Sequence, residues 1–280
     1  MKTLIKCNNL NREKLRDLDQ NIVDAVLAFA RNVTVPIFRL NSSGCDHIGT
    51  GSFFRIRNRY FLVTAAHVVE GFESDEIAVP SANKRNAQIQ RVGGSSLYKP
   101  PQSESNLLDL AVLEIIEPST ISAIRSGWQM LGLENVGETE NSEFFVSIGY
   151  PSEIAKLNGK KFQFNILGII SKHLESVPEN AALPVDPRID MFFELSNSSF
   201  DIKGNPVTPP PLQGASGCSI WAISGEKDTK IWLPSNAMRI VGIQSSAANG
   251  NFIRGKNWFY LRKIFERIDP LLLQPEPLPS

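Results

Sequence analysis

Apolar and polar positions alternate over short runs through most of this chain, and only segments near its two ends carry the three-to-four spacing of a helix. Between residues 12 and 33 the apolar side chains fall at Leu15, Leu18, Ile22, Val26, Phe29 and Val33. That is one stripe of an amphipathic helix, predicted to pack on the flank of a domain. Strand patterns follow at 33–40, at 50–57 and 59–64 (a hairpin reversing at Arg57-Asn58-Arg59), and at 76–80 and 87–92. A polar loop over 93–106 leads into an apolar strand at 107–115 with one carboxylate, Asp109, near its start. Further strands are predicted at 144–151, 161–171, 191–195, 219–223 and 239–244, with a short helix near 121–128 and a Gly/Pro-rich loop at 203–212. A last helix is predicted over 256–268, ahead of a proline-rich tail expected to be loosely held. Many short strands, few helices and frequent turns define an all-β barrel or sandwich with helices at its ends.

Composition narrows the function classes. Hydrophobic content of 42% and charged content of 21% exclude disordered and fibrous chains. The 29 basic and 29 acidic residues cancel, so no broad field favours nucleic acid or an anionic membrane, and neither is expected as a partner. No apolar run reaches the eighteen or so residues of a membrane span. The N-terminal MKTLIKCNNLNREKLRD turns polar after five residues and lacks the apolar core of a secretory signal, which also argues against Cys7 as a lipidation site. Three cysteines (Cys7, Cys45, Cys218) are too few for a disulfide framework, so reduced thiols and a cytoplasmic location are expected. Cys45 and His47 stand two apart without a second pair to complete a tetrahedral site, and neither a metal nor a cofactor is expected. His173 and the arginines at 55, 57 and 59 read as solvated side chains.

Three segments carry chemistry: TAAH with His67, LLDLAVLEI with Asp109, and GASG with Ser216. A serine hydroxyl is a poor nucleophile at neutral pH until a base takes its proton, and imidazole is suited to that by its pKa. A carboxylate on the far ring nitrogen fixes the tautomer and stabilises the imidazolium. Gly214 frees its backbone N–H for a close approach, and the amides of Gly214 and Ser216 would form an oxyanion hole, at about 3 kcal/mol per donor.

The set resembles the chymotrypsin/trypsin-like serine peptidases, in the bacterial form that lacks an activation peptide. The order His67, Asp109, Ser216 is that family's order, whereas subtilisin-like enzymes and α/β-hydrolases run differently, and Cys218 breaks the G-x-S-x-G elbow of the latter. GTGSFF before the histidine hairpin, SIGYP at 147–151 and IVGI at 240–243 are similar to the family's barrel strands. The resemblance covers roughly residues 34–256. It implies two packed antiparallel six-stranded β-barrels, chymotrypsin-like, with the site in the cleft between them.

The implied organisation is an N-terminal helical extension (1–33), a first barrel (34–117), a linker (118–143), a second barrel (144–256) and a C-terminal helix with tail (257–280). The implied activity is hydrolysis of peptide bonds in a protein or peptide substrate through an acyl-enzyme. Ala215 replaces the acidic or amide residue that usually precedes the family's nucleophile, so no trypsin-style zymogen step is expected. Cys218 reads as a buried packing residue. The resemblance places the pocket base at Pro210 and its wall at Gln244, Ser245, Ser246 and Ala247, which implies an uncharged pocket. Two other readings keep the fold: a catalytically silent barrel used for binding, and an effector peptidase idle until a regulatory partner chain orders its loops.

Overall fold

The computed structural model describes residues 2–7, 20–42, 44–84, 87–100, 104, 107–137, 142, 144–154, 156–158, 161–163, 165–201, 204–223 and 234–274. Strand β1 (Lys2–Cys7) precedes helix α1 (Gln20–Val33). The predicted helical stripe is found from Gln20 onward, and its Leu15 and Leu18 lie outside the described residues. Val26, Leu27, Phe29, Ala30 and Val33 form its buried face. Each large side chain among them contributes about 1.5–3 kcal/mol of burial as an upper figure.

Seven strands then make the first half of the molecule: β2 (Thr34–Asn41), β3 (Gly44–Ile56), β4 (Arg59–Thr64), β5 (Ile77–Pro80), β6 (Ile89–Arg91), β7 (Ser96–Tyr98) and β8 (Ala111–Ile115). Their order in the sheet is β6-β5-β2-β3-β4-β8-β7, antiparallel throughout. Helix α2 (Pro118–Gly127) crosses to the second half, with Pro118 at the first helical position where no donor is lost.

The second half holds β9 (Phe144–Gly149), a small hairpin of β10 (Lys156–Asn158) and β11 (Lys161–Gln163), β12 (Ile166–Ser171), β13 (Asp190–Glu194), β14 (Ser199–Asp201), β15 (Pro206–Val207), β16 (Ser219–Ile223), β17 (Met238–Ala248) and β18 (Phe252–Asn257). Nine of the strands share one sheet, in the order β13-β18-β17-β16-β9-β12-β1-β14-β15. Both sheets curl into antiparallel half-barrels, which is the chymotrypsin-like double barrel. Strand numbers differ from six and six because short edge strands extend both sheets and β1 enters the second. β1 runs parallel to β12 and antiparallel to β14, with Ile5 buried. Helix α3 (Trp258–Ile268) closes the fold, its first turn capped by the Asn257 side chain accepting the Phe259 amide. The proline-rich tail from residue 275 lies outside the described residues. No helix among the described residues is long and apolar enough to cross a membrane.

One hydrophobic core lies inside each half, and a third joins them. The shared core takes Phe54, Phe61 and Val112 from the first half, Val146, Trp221 and Ile240 from the second, and Trp258, Leu261 and Phe265 from α3. α3 therefore clamps both halves. Arg59 is part of the same clamp and not a solvated residue: it grips Glu114 through two 2.6 Å hydrogen bonds and reaches Asp269 beyond α3 at 3.3 Å. A planar guanidinium matches a carboxylate in two places, which is why an arginine stands there.

Candidate active site

β4 ends at Thr64, and a single 3₁₀ turn, Ala66–Val69, follows. Val68 and Val69 are buried, which leaves His67 facing outward with 45% of its side chain exposed. Asp109 approaches from the segment just ahead of β8. It lies outside the strand that the sequence predicted for it, between buried Leu108 and Leu110, and is the one residue of the three turned to the cleft. Its Oδ1 accepts the His67 backbone amide at 3.0 Å and its Oδ2 lies 2.8 Å from the ring Nδ1. An ionised carboxylate offers only acceptors, so the ring proton sits on Nδ1 and Nε2 is the basic nitrogen. The hydrogen bond to Asp109 raises the His67 pKa above its usual value, and burial opposes this only in part.

Ser216 sits in a turn between Gly214 and Gly217, both with φ of +88°. Side chains rarely adopt that conformation, so the turn needs glycine on either side of the hydroxyl. The amides of Ala215, Gly217 and Cys218 are bonded to Leu212, Gln244 and Ala215 carbonyls. Those of Gly214 and Ser216 donate to no acceptor among the described residues. They are spare donors on either side of a half-buried serine.

Thr50 carries no sequence signal beyond standing between two glycines, yet it ties the serine turn to the first half. Its amide donates to the Ser216 carbonyl at 2.9 Å, and its hydroxyl donates to the Gly214 carbonyl at 2.8 Å while accepting the Tyr150 amide at 3.1 Å. Ser52, two residues on, meets Ser219 hydroxyl to hydroxyl at 3.0 Å. Gly217 packs so closely that a Cβ there would collide with the Thr64 hydroxyl and the Thr50 carbonyl. The serine turn thus docks at the root of the segment that carries His67. Among the described residues no hydrogen bond joins the Ser216 hydroxyl to His67.

This packing makes a prediction. Gly217→Ala should cost about 1–3 kcal/mol from backbone strain alone, and more once Thr50 is displaced. Chemical denaturation should show the lowered midpoint, together with weaker reaction of Ser216 with a fluorophosphonate. An unchanged midpoint and unchanged labelling would contradict the close docking.

A cleft of about 670 Å³ opens beside the imidazole. The first half contributes Ala66, His67, Glu70, Lys99, Pro100 and Asp109 to it. The second contributes Ser245, Ser246, Arg254 and Lys256. Of the residues named for the pocket's base and wall, Ser245 and Ser246 line this cleft; Pro210, Gln244 and Ala247 do not. Gln244 is buried behind the serine turn, its carbonyl taking the Gly217 amide and its side-chain oxygen taking the Cys218 thiol at 3.1 Å. Burial pushes that thiol up to about 12. The cleft is also charged, because Arg254 and Lys256 fall in strand β18, where the sequence pattern predicts no strand and starts the last helix at residue 256.

His47 is brought to the other flank of the turn. Its Nδ1 lies 3.0 Å from the Ser152 hydroxyl, both packed on Gly214, and burial pushes its pKa down to about 4. Its Nε2 is buried with no hydrogen-bond partner among the described residues. Cys45 stays half-exposed on the same strand.

The model of one protein family, the trypsin-like peptidase domain, matches residues 49–198. That span covers more than half of the chain, including His67 and Asp109, and ends before Ser216. The chain belongs to the trypsin-like peptidase domain family, and a peptidase-type function follows from that membership. Comparison with curated proteins gives no match.

Proposed function

We propose that the chain is a serine endopeptidase working through an acyl-enzyme, with Ser216 as nucleophile, His67 as base and then acid, and Asp109 as the orienting carboxylate. The observation that carries this reading is the two-point hold of Asp109 on His67, which leaves Nε2 as the free base of a ring beside the serine turn. The Ser216 proton passes to Nε2 as Oγ attacks the scissile carbonyl carbon. The amides of Gly214 and Ser216 receive the oxyanion, which accounts for their having no other acceptor. The imidazolium, stabilised by Asp109, gives its proton to the leaving amine as the peptide C–N bond breaks. Water then enters by the same route and releases the acid. Free enzymes commonly hold the serine–histidine bond long and tighten it around substrate, so its present openness agrees with the reading.

Labelling by a fluorophosphonate tests it. Modification at Ser216 is expected, with a rate that rises with pH as His67 loses its proton. Since Asp109 raises that pKa, the inflection should lie above the ordinary histidine value of about 6.5. Asp109→Asn should lower the inflection and slow the reaction by about 10⁴. A rate independent of pH between 5 and 9, each an approximate bound around the histidine range, would remove His67 as base. No labelling at all would favour the silent binding barrel.

A further inference from the structure

Asp190 is fully buried and receives two cations. On Oδ1 it accepts Arg254 Nε at 2.7 Å and Lys256 Nζ at 2.6 Å; on Oδ2 it accepts Arg254 Nη2 at 2.8 Å and the Asp186 amide at 2.9 Å. Four donors saturate the carboxylate. One negative charge thus faces two positive ones, and the excess sits in side chains only 3% (Lys256) and 9% (Arg254) exposed. Both residues line the cleft beside His67. Asp186 supplies no second balancing charge, because its own carboxylate is held by Arg188.

The donors are unequally committed. Arg254 also binds the Ala182 and Pro184 carbonyls, which makes it chiefly a strut for the loop ahead of β13. Lys256 gives a single hydrogen bond, and its other two N–H groups have no acceptor among the described residues. Burial holds its ammonium below the ordinary lysine value in spite of Asp190. Asp109 across the cleft acts on Lys256 through its charge, but both its oxygens are engaged by His67 and it gives Lys256 no hydrogen bond. Glu70 and Lys99 oppose each other in sign and are exposed, so salt and water screen them. A buried ammonium with two unused donors, at a residue that lines an open cleft, calls for an acceptor from outside, and a carboxylate is the strongest match.

We propose that this cleft selects substrates bearing a carboxylate side chain, received by Lys256 with Arg254 behind it on the Asp109 side of the imidazole. The inference rests on the peptidase reading of the same site. Lys256 is then a specificity-determining residue, and the preference is for acidic peptides.

Internally quenched peptides carrying Glu, Gln or Lys in turn at each position around the scissile bond test this directly. At one position Glu should exceed Gln by about tenfold in kcat/KM, the scale of a hydrogen bond to a charged group, and added salt should shrink the ratio. Lys256→Met, which leaves Asp190 with Arg254, should bring the ratio near one, and Lys256→Arg should retain it. Equal cleavage of Glu and Gln at every position by enzyme that still labels at Ser216 overturns this inference and leaves the peptidase reading intact. A Lys256→Met variant that changes only the pH profile, with the Glu preference unmoved, also overturns it. Fluorescence anisotropy of Glu- and Gln-bearing peptides on Ser216→Ala protein reads the cleft without turnover. Tighter binding of the Glu form, lost with Lys256→Met, supports the cation site even if labelling and cleavage both fail; equal binding overturns it.

Discussion

Ser216→Ala is expected to reduce peptide turnover by about 10⁵- to 10⁶-fold and to leave the fold unchanged. The size follows from the unit that serine and imidazole form: without a nucleophile, a perfectly placed base has nothing to activate. The harmlessness to folding follows from the contacts. The Ser216 hydroxyl makes no hydrogen bond among the described residues, and the tie to Thr50 runs through the backbone carbonyl, which alanine keeps. Alanine also tolerates the position because the strained φ values belong to Gly214 and Gly217. A peptide-cleavage assay beside a thermal melt separates the two expectations. Turnover at the wild-type rate with an unchanged melt would reject Ser216 as nucleophile.

Other hydroxyls near the turn are poor substitutes. Ser219 is fully buried and bonded to Ser52. Ser152 does meet an imidazole, at 3.0 Å, yet that pair fails as chemistry. His47 is a weak base, its pKa pushed down to about 4 by burial, and no carboxylate among the described residues orients it. Both His47 and Ser152 pack on Gly214, so their role is to brace the loop whose amide must point at the oxyanion. A His–Ser contact is thus not the mark of a nucleophile; an oriented ring with a free Nε2 is.

How much of this could be read from residues alone divides along physical lines. The double-barrel class was legible because its strands are short, apolar on one side and separated by glycine and proline. His67, Asp109 and Ser216 stood out because small residues or glycines flank two of them and a lone carboxylate in an apolar run marks the third. Strand β1 was not legible: KTLIKC is brief, its period is unclear, and its partners β12 and β14 lie more than 150 residues away. Thr50 was missed for a related reason, since a threonine whose hydroxyl bonds to distant backbone looks like any strand residue. The charged cleft was missed through a wrong period. FIRGKNWFYLRKIF has helical spacing in its second half, but its first six residues are strand β18, which sends Arg254 and Lys256 to one face and Ile253 and Gly255 to the other. Their counter-ion, Asp190, comes from β13, directly across from Lys256. No local pattern announces such a partner.

That counter-ion carries the largest expected effect on stability. Asp190→Ala should destabilise the protein by about 3–5 kcal/mol, because it leaves two buried cations without their shared anion. The pH dependence of the wild type has a definite sign. Burial raises the Asp190 pKa, but the hydrogen bonds from Arg254, Lys256 and the Asp186 amide more than offset it, and the folded-state value lies below the usual one. Its stabilisation is therefore complete above the unfolded value of about 3.9 and disappears as pH falls through the folded value. Denaturant titrations of both proteins from neutral to acid pH should show the gap in unfolding free energy narrowing only at the acid end. A double variant, Asp190→Ala with Lys256→Met, should be more stable than Asp190→Ala alone, since one of the stranded charges is gone and an apolar side chain of similar length fills its place. If the single variant unfolds at the wild-type midpoint, the ion cluster does not hold β13 to β18, and Lys256 is free to leave the cleft.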